Sequence, residues 1–242
     1  MYLALLLRPL LALLLLGLAS PVIAQAEPWY QLELILFSHN SPTFRDSERW
    51  PEDLALPNVN QAISLSPLVP DQARPAAFAL LDVSAMQLLA EAERIERDES
   101  LSLLAHLAWL QPGLPADQAK AVWIAIPDPG RAAEGQENLG PPILEGTLSL
   151  SLSRYLHLAV DLLYREAKPN EGLPLSGAAS PLDLFQLSEQ PYGIHSEAGR
   201  WQLYRKEESR RMRSNELHYL DHPMFGMLVL LTPHQRDKQS SQ

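Results

Sequence analysis

Residues 147–162 read TLSLSLSRYLHLAVDL, and this alternating stretch decides the fold. Apolar side chains occupy seven of its eight even positions, and Arg154 is the exception. Such an alternation places the apolar groups on one face of a β-strand. Because the phase never changes, it predicts one long strand with a bend or bulge near Ser153-Arg154. A helix over 152–165 is the competing interpretation, because leucine also favours helices.

Segments on both sides of this stretch have patterns of their own. Further strands are predicted at 31–37, 101–110, 122–126, 201–212 and 224–231. A helix is predicted over 85–98, where Ser84 and Gln87 fit a capping box and apolar residues recur at helical spacing. The order strand, helix, strand permits a right-handed crossover. The predicted fold is therefore α+β, with a mainly antiparallel sheet of about six strands and one main helix packed on one face.

Long connections interrupt this pattern. Residues 39–82 contain six prolines, and residues 167–199 contain four prolines and four glycines. Proline and glycine at this density prevent long helices, so both stretches are predicted to be long loops. We expect a single domain over 27–233, followed by a loose polar tail at 234–242.

The composition excludes several classes of protein. Of the 242 residues, 46% are hydrophobic and 20% are charged, as in ordinary globular proteins. The absence of cysteine excludes disulfides and Cys-based metal sites. A net charge of −10 argues against a general nucleic-acid-binding protein. The chain has no phosphate loop, dinucleotide fingerprint or serine elbow, so we expect no cofactor and no catalytic residues.

The first 26 residues have the pattern of a secretory signal peptide. A lone Arg8 precedes an apolar run at 10–18, and small residues follow at 22, 24 and 26. This predicts cleavage after Ala24 or Ala26 and a periplasmic protein; an uncleaved anchor is the alternative. No later stretch is long and apolar enough to cross a bilayer, so the mature chain is expected to lack an integral membrane segment.

A basic run on the predicted strand 201–212 and just after it is the first candidate site. It consists of Arg205, Lys206, Arg210, Arg211 and Arg213. On a strand, the three odd-numbered arginines share one face, and Arg210 and Lys206 lie on the other. Arginines bind carboxylates in a bidentate way, and the aromatic residues near the run are Trp201, Tyr204 and Tyr219. An acidic, sugar-containing polymer is the expected ligand. The favoured alternative for these residues is cross-strand salt bridging with the acidic N-terminal part of the chain, because residues 27–150 hold 18 acidic and only 7 basic residues.

Two histidine-containing groups are weaker candidates. The spacing of His218, Asp221 and His222 is similar to an inverted zinc-hydrolase motif, but Pro223 disfavours the helix that such a motif needs. A structural turn is the favoured interpretation, and no metal is predicted. His157 and Asp161 share the face opposite the apolar positions and form a weak candidate acid–base pair.

Taken in order, several segments resemble the CsiV family of peptidoglycan-binding proteins. The segments are WYQLELILF at 29–37, His106, Trp109 and Gln111, LEG at 144–146, RYLHL at 154–158 and SRRMRSNELHYLDHP at 209–223. The last segment is the most specific. The resemblance implies a periplasmic, non-catalytic protein that associates with the cell wall and supports peptidoglycan assembly.

The leading hypothesis is therefore a peptidoglycan-binding protein. Its predicted ligand-binding residues are Arg205, Arg210, Arg211, Arg213, Tyr204, Tyr219, Trp201, His218, Asp221 and His222. One alternative is an interaction module for a peptidoglycan synthase or its activator. The other is a metal-dependent wall hydrolase that uses His218, Asp221 and His222.

Overall fold

A computed structural model describes residues 27–40, 54–65, 75–128, 141–168 and 201–235. The predicted signal peptide, nearly all of the predicted loop 167–199 and the tail from residue 236 lie outside the described residues. Among the described residues, no helix has the length and apolar character needed to cross a bilayer.

The described part of the chain contains nine strands and one α-helix. In chain order they are β1 (Trp29–His39), β2 (Ile63–Ser64), α1 (Leu89–Arg97), β3 (Leu101–Pro112), β4 (Ala121–Ile126), β5 (Leu144–Leu152), β6 (Leu156–Ala167), β7 (Trp201–Met212), β8 (Leu217–Asp221) and β9 (Phe225–His234). A four-stranded sheet has the order β3-β1-β9-β8, and a five-stranded sheet has the order β2-β4-β5-β6-β7. All neighbours are antiparallel except β2 and β4. A mainly antiparallel fold is confirmed, but there are two sheets and more strands than predicted.

The stretch 147–162 forms a hairpin, so the predictions of one bent strand and of a helix over 152–165 are both wrong. Strands β5 and β6 pair directly, with Leu150 opposite Leu158 and Leu152 opposite Leu156. Directly opposite residues of a pair point to the same face. The three-residue turn 153–155 therefore leaves the even positions of both strands on one face, and the alternation continues unchanged through it.

The main core lies between the two sheets. One cluster of buried side chains joins even positions of β1, such as Leu34, to even positions of β5 and β6, such as Leu148 and Leu158. All three of these side chains are at most 1% exposed. This packing leaves the odd positions of β5, β6 and β7 on the opposite face, here called the outer face of the five-stranded sheet.

The helix α1 covers the other side of the four-stranded sheet. Ile35 and Phe37 of β1 pack there against Ala92 and Ile95 of the helix. The predicted helix exists, but it begins at Leu89, after a short 3₁₀ turn over Val83–Ala85. The predicted crossover is wrong, because β1 and β3, which correspond to the strands predicted before and after the helix, are antiparallel neighbours.

The cap of α1 comes from a distant strand rather than from the predicted capping box. The Glu33 carboxylate of β1 accepts hydrogen bonds from the backbone N–H of Gln87, at 2.7 Å, and of Leu88, at 2.8 Å. The backbone N–H of Ser84 donates instead to Asp82 in the 3₁₀ turn. A carboxylate at this position satisfies unpaired N–H groups and lies at the positive end of the helix dipole.

Candidate ligand-binding site

Strand β7 divides its cations between two faces, as the predicted strand requires. Arg205 and Arg211 occupy odd positions and lie on the outer face, while Lys206 and Arg210 occupy even positions. The even pair extends toward β8 of the other sheet, where both side chains find backbone partners. Arg213 follows the end of β7 and lies in the turn that leads to β8.

The two even cations are used within the fold. Lys206 Nζ donates to the carbonyl oxygen of Asp221, and Arg210 NH1 donates to that of Tyr219, both at 2.7 Å. Glu208 lies between them, 2.7 Å from Lys206 Nζ and 3.3 Å from Arg210 Nε. These contacts hold both side chains against β8 and away from the outer face.

Arg205 is also held within the fold. Its guanidinium makes a bidentate contact with Asp161 of β6, with distances of 2.7 Å and 2.8 Å. This hydrogen-bonded carboxylate raises the pKa of Arg205 above its ordinary value. The alternative of internal salt bridging therefore holds for Arg205, but the expected partner is wrong, because Asp161 lies outside the acidic residues 27–150.

Arg211 differs from the other cations of β7. Its guanidinium carbon lies 3.3 Å from the ring centroid of Tyr155, in the turn between β5 and β6. Arg154 approaches the same ring at 5.4 Å. Within the described part of the chain, Arg211 has no carboxylate partner, and its side chain is exposed. A stacked guanidinium keeps its donors in one plane and available for a ligand.

The basic groups around this stacked pair form one patch, here called the arginine platform. It consists of Arg154, Tyr155, His157, Arg211, Arg213 and His218. His157 lies directly opposite Arg211 on the neighbouring strand. A small cavity of about 230 Å³ is lined by Arg211, Arg213, Glu216 and His218. Glu216 is the carboxylate that lines this cavity, and it lies 3.5 Å from Arg213.

The predicted aromatic residues do not surround Arg211. Tyr204 is only 3% exposed and packs in the core, where its hydroxyl donates to Glu166. Trp201 starts β7 and lies about 33 Å along the strand from Arg211. Tyr219 stacks on Phe37 on the side of the four-stranded sheet that carries α1. The aromatic partner of Arg211 is Tyr155 instead. The odd position of Tyr155 in the alternating stretch predicts that its side chain faces away from the core, but it does not predict a contact with β7.

The predicted histidine group is dispersed. His218 Nε2 lies 3.1 Å from the backbone nitrogen of Arg213, at the platform. His222 is 7% exposed in the core, and its Nδ1 accepts a hydrogen bond from the backbone N–H of Met224. Burial, with a smaller contribution from Lys206, lowers the pKa of His222 to about 4. Asp221 accepts from the Tyr219 hydroxyl at 2.6 Å.

Neither histidine-containing candidate forms a compact polar group. Over the described ranges, no three His, Asp or Glu side chains are grouped so that they could hold a metal ion. His157 and Asp161 have separate partners, because Asp161 is bound to Arg205 and His157 Nδ1 lies 3.2 Å from the carbonyl oxygen of Tyr155.

Several residues that carry the family resemblance have a structural role. The indole N–H of Trp109 donates to Gln111 at 2.7 Å, and Trp109 is fully buried. Gly146 has a φ of +152°, and a Cβ there would overlap the carbonyl oxygen of Asp161. Packing and backbone geometry therefore account for the residues at these positions of the resembling segments.

One comparison with known proteins gave a match. A family model described as peptidoglycan-binding protein, CsiV, matches residues 7–234, a range that includes β1 to β9 and α1. The chain has no match among curated proteins or among solved structures. The matched range covers nearly the whole chain, and the family description implies peptidoglycan binding. The chain therefore belongs to the CsiV family of peptidoglycan-binding proteins.

Proposed function

We propose that this chain is a periplasmic, non-catalytic protein that binds peptidoglycan through the arginine platform and supports cell-wall assembly. The family description supports the ligand, and the predicted signal peptide supports the compartment. The observation that carries the site is Arg211, stacked on Tyr155 at 3.3 Å and exposed.

The chemistry of peptidoglycan fits this arrangement. Its stem peptides present carboxylates, and a guanidinium binds a carboxylate through two parallel hydrogen bonds. Arg211 is already oriented by the Tyr155 ring, so a ligand has less side-chain freedom to remove when it binds. Arg213 and His218 border the same small cavity and extend the basic surface beside Arg211.

The expected affinity comes from repetition rather than from one strong contact. An exposed ion pair contributes about 0.2–1 kcal/mol, which alone gives weak binding. A wall polymer repeats the same carboxylates many times, so rebinding and multiple contacts raise the apparent affinity. Because the contacts are exposed and ionic, added salt should weaken them.

The test is sedimentation of residues 27–242 with isolated sacculi at low and moderate salt. The double variant Arg211→Ala/Arg213→Ala should sediment several-fold less than the unmodified chain at low salt. Arg94→Ala/Arg97→Ala is the matched control, since it removes two exposed arginines from α1, each paired with a glutamate. Equal retention of both variants, each with an intact fold, would contradict the assignment of the site.

A second candidate function is an interaction module for a peptidoglycan synthase or its activator. It is favoured by two exposed apolar side chains of β8, Leu217 at 43% and Tyr219 at 44% exposure. Exposed apolar groups next to each other are common at protein interfaces. Purification of one stoichiometric protein partner, together with no retention on sacculi, would favour this function over direct wall binding.

A further inference from the structure

The outer face of the five-stranded sheet continues beyond the arginine platform as a shallow cavity of about 490 Å³. Its floor consists of short side chains, Thr147, Ser149, Ala159 and Ser209. Asp161 and Glu207 border it at the end away from the platform. A ligand bound at Arg211 can therefore extend along the strands over this floor without meeting a bulky side chain.

The two carboxylates at the far end are not equivalent. Asp161 is occupied by its bidentate contact with Arg205, at 2.7 Å and 2.8 Å. Glu207 is 75% exposed, and its contact with Arg205 is long, at 3.9 Å. Glu207 thus presents a carboxylate that can accept a cationic group from a ligand.

Glu207 borders the cavity, and Arg211 lies just beyond its opposite end, two residues past Ser209. Charges of opposite sign therefore lie on either side of the cavity floor. Glu207 and Arg211 lie on the same face of β7, four residues apart, which corresponds to about 13 Å along a strand. An extended peptide of about four residues has the same length. Ser209 lies between them on β7, and Ala159 lies directly opposite Ser209 on β6.

A stem peptide of peptidoglycan carries both charges that this arrangement fits. It has carboxylates, and it has a side-chain amine wherever its dibasic residue is not cross-linked. Cross-linking converts that amine into an uncharged amide. We propose that Glu207 receives the free ammonium group while Arg211 receives a carboxylate, so that the chain favours uncross-linked stem peptides. This inference rests on the proposed function.

The test compares untreated sacculi with sacculi whose free amines have been acetylated. Acetylation removes the ammonium charge and leaves the carboxylates, so the unmodified chain should bind acetylated sacculi about two- to fivefold more weakly. Glu207→Gln should bind both preparations equally, at the weaker level. Glu93→Gln is the matched control, because Glu93 is an exposed glutamate of α1 and its loss changes the net charge by the same amount.

The outcomes separate this inference from the proposed function. If the unmodified chain binds both preparations equally, recognition of the amine is wrong and wall binding stands. If Glu207→Gln remains sensitive to acetylation, the assignment to Glu207 is wrong. If the unmodified chain sediments with neither preparation, the proposed function fails and this inference fails with it.

Discussion

His106 Nε2 of β3 lies 2.7 Å from Glu33 Oε1 of β1, in a contact where the two side chains are 11% and 1% exposed. The same carboxylate caps α1 through the backbone N–H groups of Gln87 and Leu88. Glu33 therefore joins β3 to the start of the helix, and nearly all of its hydrogen-bonding capacity is used within the fold. A buried carboxylate is tolerated because it has these partners.

Replacement of Glu33 by glutamine should destabilise the protein. An amide has the same size as the carboxylate, but one of its two oxygen acceptors is replaced by an NH₂ donor. That donor would face the backbone N–H groups of Gln87 and Leu88, which also donate. We expect the free energy of unfolding to fall by about 2–3 kcal/mol, measured by urea denaturation. Glu93→Gln on the exposed side of α1 should change it by less than about 0.5 kcal/mol. Equal effects of the two variants would refute a structural role for Glu33.

Tyr155 should contribute to wall binding through its ring. In Tyr155→Ala the Arg211 side chain loses the surface on which it stacks, so we expect binding to sacculi to weaken about two- to fivefold. Tyr155→Phe keeps the ring and should bind like the unmodified chain. Quantitative sedimentation at low salt measures both variants. Weakened binding by the phenylalanine variant would show that the hydroxyl, rather than the stacking, matters.

Gly146 should not tolerate a side chain. Its φ of +152° disfavours other residues, and a Cβ would overlap the Asp161 carbonyl oxygen of the neighbouring strand. We expect Gly146→Ala to lower the free energy of unfolding by about 2–4 kcal/mol. Ser149→Ala, on the outer face of the same strand, is the control and should change it by less than about 0.5 kcal/mol. A neutral Gly146→Ala would mean that β5 adjusts without cost.

His222 should make the protein less stable in acid. Its pKa is about 4 in the folded chain, mainly because the ring is buried, against an ordinary value of 6.5. Between these values the unfolded chain binds a proton that the folded chain does not. Stability therefore falls as pH decreases from 6.5 toward 4, by about 2–3 kcal/mol at pH 4.5.

Urea denaturation at pH 7 and pH 4.5 measures this effect. His222→Asn removes the titrating ring and should show a smaller loss of stability between the two pH values. His157→Asn, at a partly exposed position of β6, should keep the loss of the unmodified chain. If His222→Asn keeps the full loss as well, other groups carry the acid sensitivity.

The alternation of the sequence predicts which segments are strands and which face is buried, but it does not predict how the strands are connected. The even leucines of 148–162 identify β structure and the buried face, but a hairpin with directly opposed even positions gives the same pattern as one long strand. The turn 153–155 contains neither glycine nor proline, so the sequence has no strong turn signal that would separate the hairpin from one long strand. Arg154, the one polar even residue, was the local sign of the turn.

The start of the helix illustrates a second limit. Ser84 and Gln87 fit a capping box, yet the actual cap is Glu33, more than fifty residues earlier. A local motif carries no information about an acceptor supplied by another strand. The existence of α1 followed from its apolar periodicity, whereas its first residue depended on tertiary contacts.

The candidate site was predictable only in part. Alternation along β7 correctly separates Arg205 and Arg211 from Lys206 and Arg210. Arg213, which the same alternation places on the face of Arg211, lies instead in the turn after the strand. Which of these cations is already paired depends on the registers of β6 and β8, and sequence spacing does not give a register between distant strands. The partner of Arg211, Tyr155, becomes visible only when the β5–β6 turn is placed beside the end of β7.

The contacts of Lys206 and Arg210 with β8 also bear on how the chain behaves at high concentration. β8 is the last strand of its sheet, and such a strand can pair with a strand of another molecule and start aggregation. The two cations occupy the carbonyl oxygens of Asp221 and Tyr219 and place charge along this border. The same contacts that withdraw these cations from the ligand surface thereby protect the molecule from edge-to-edge association.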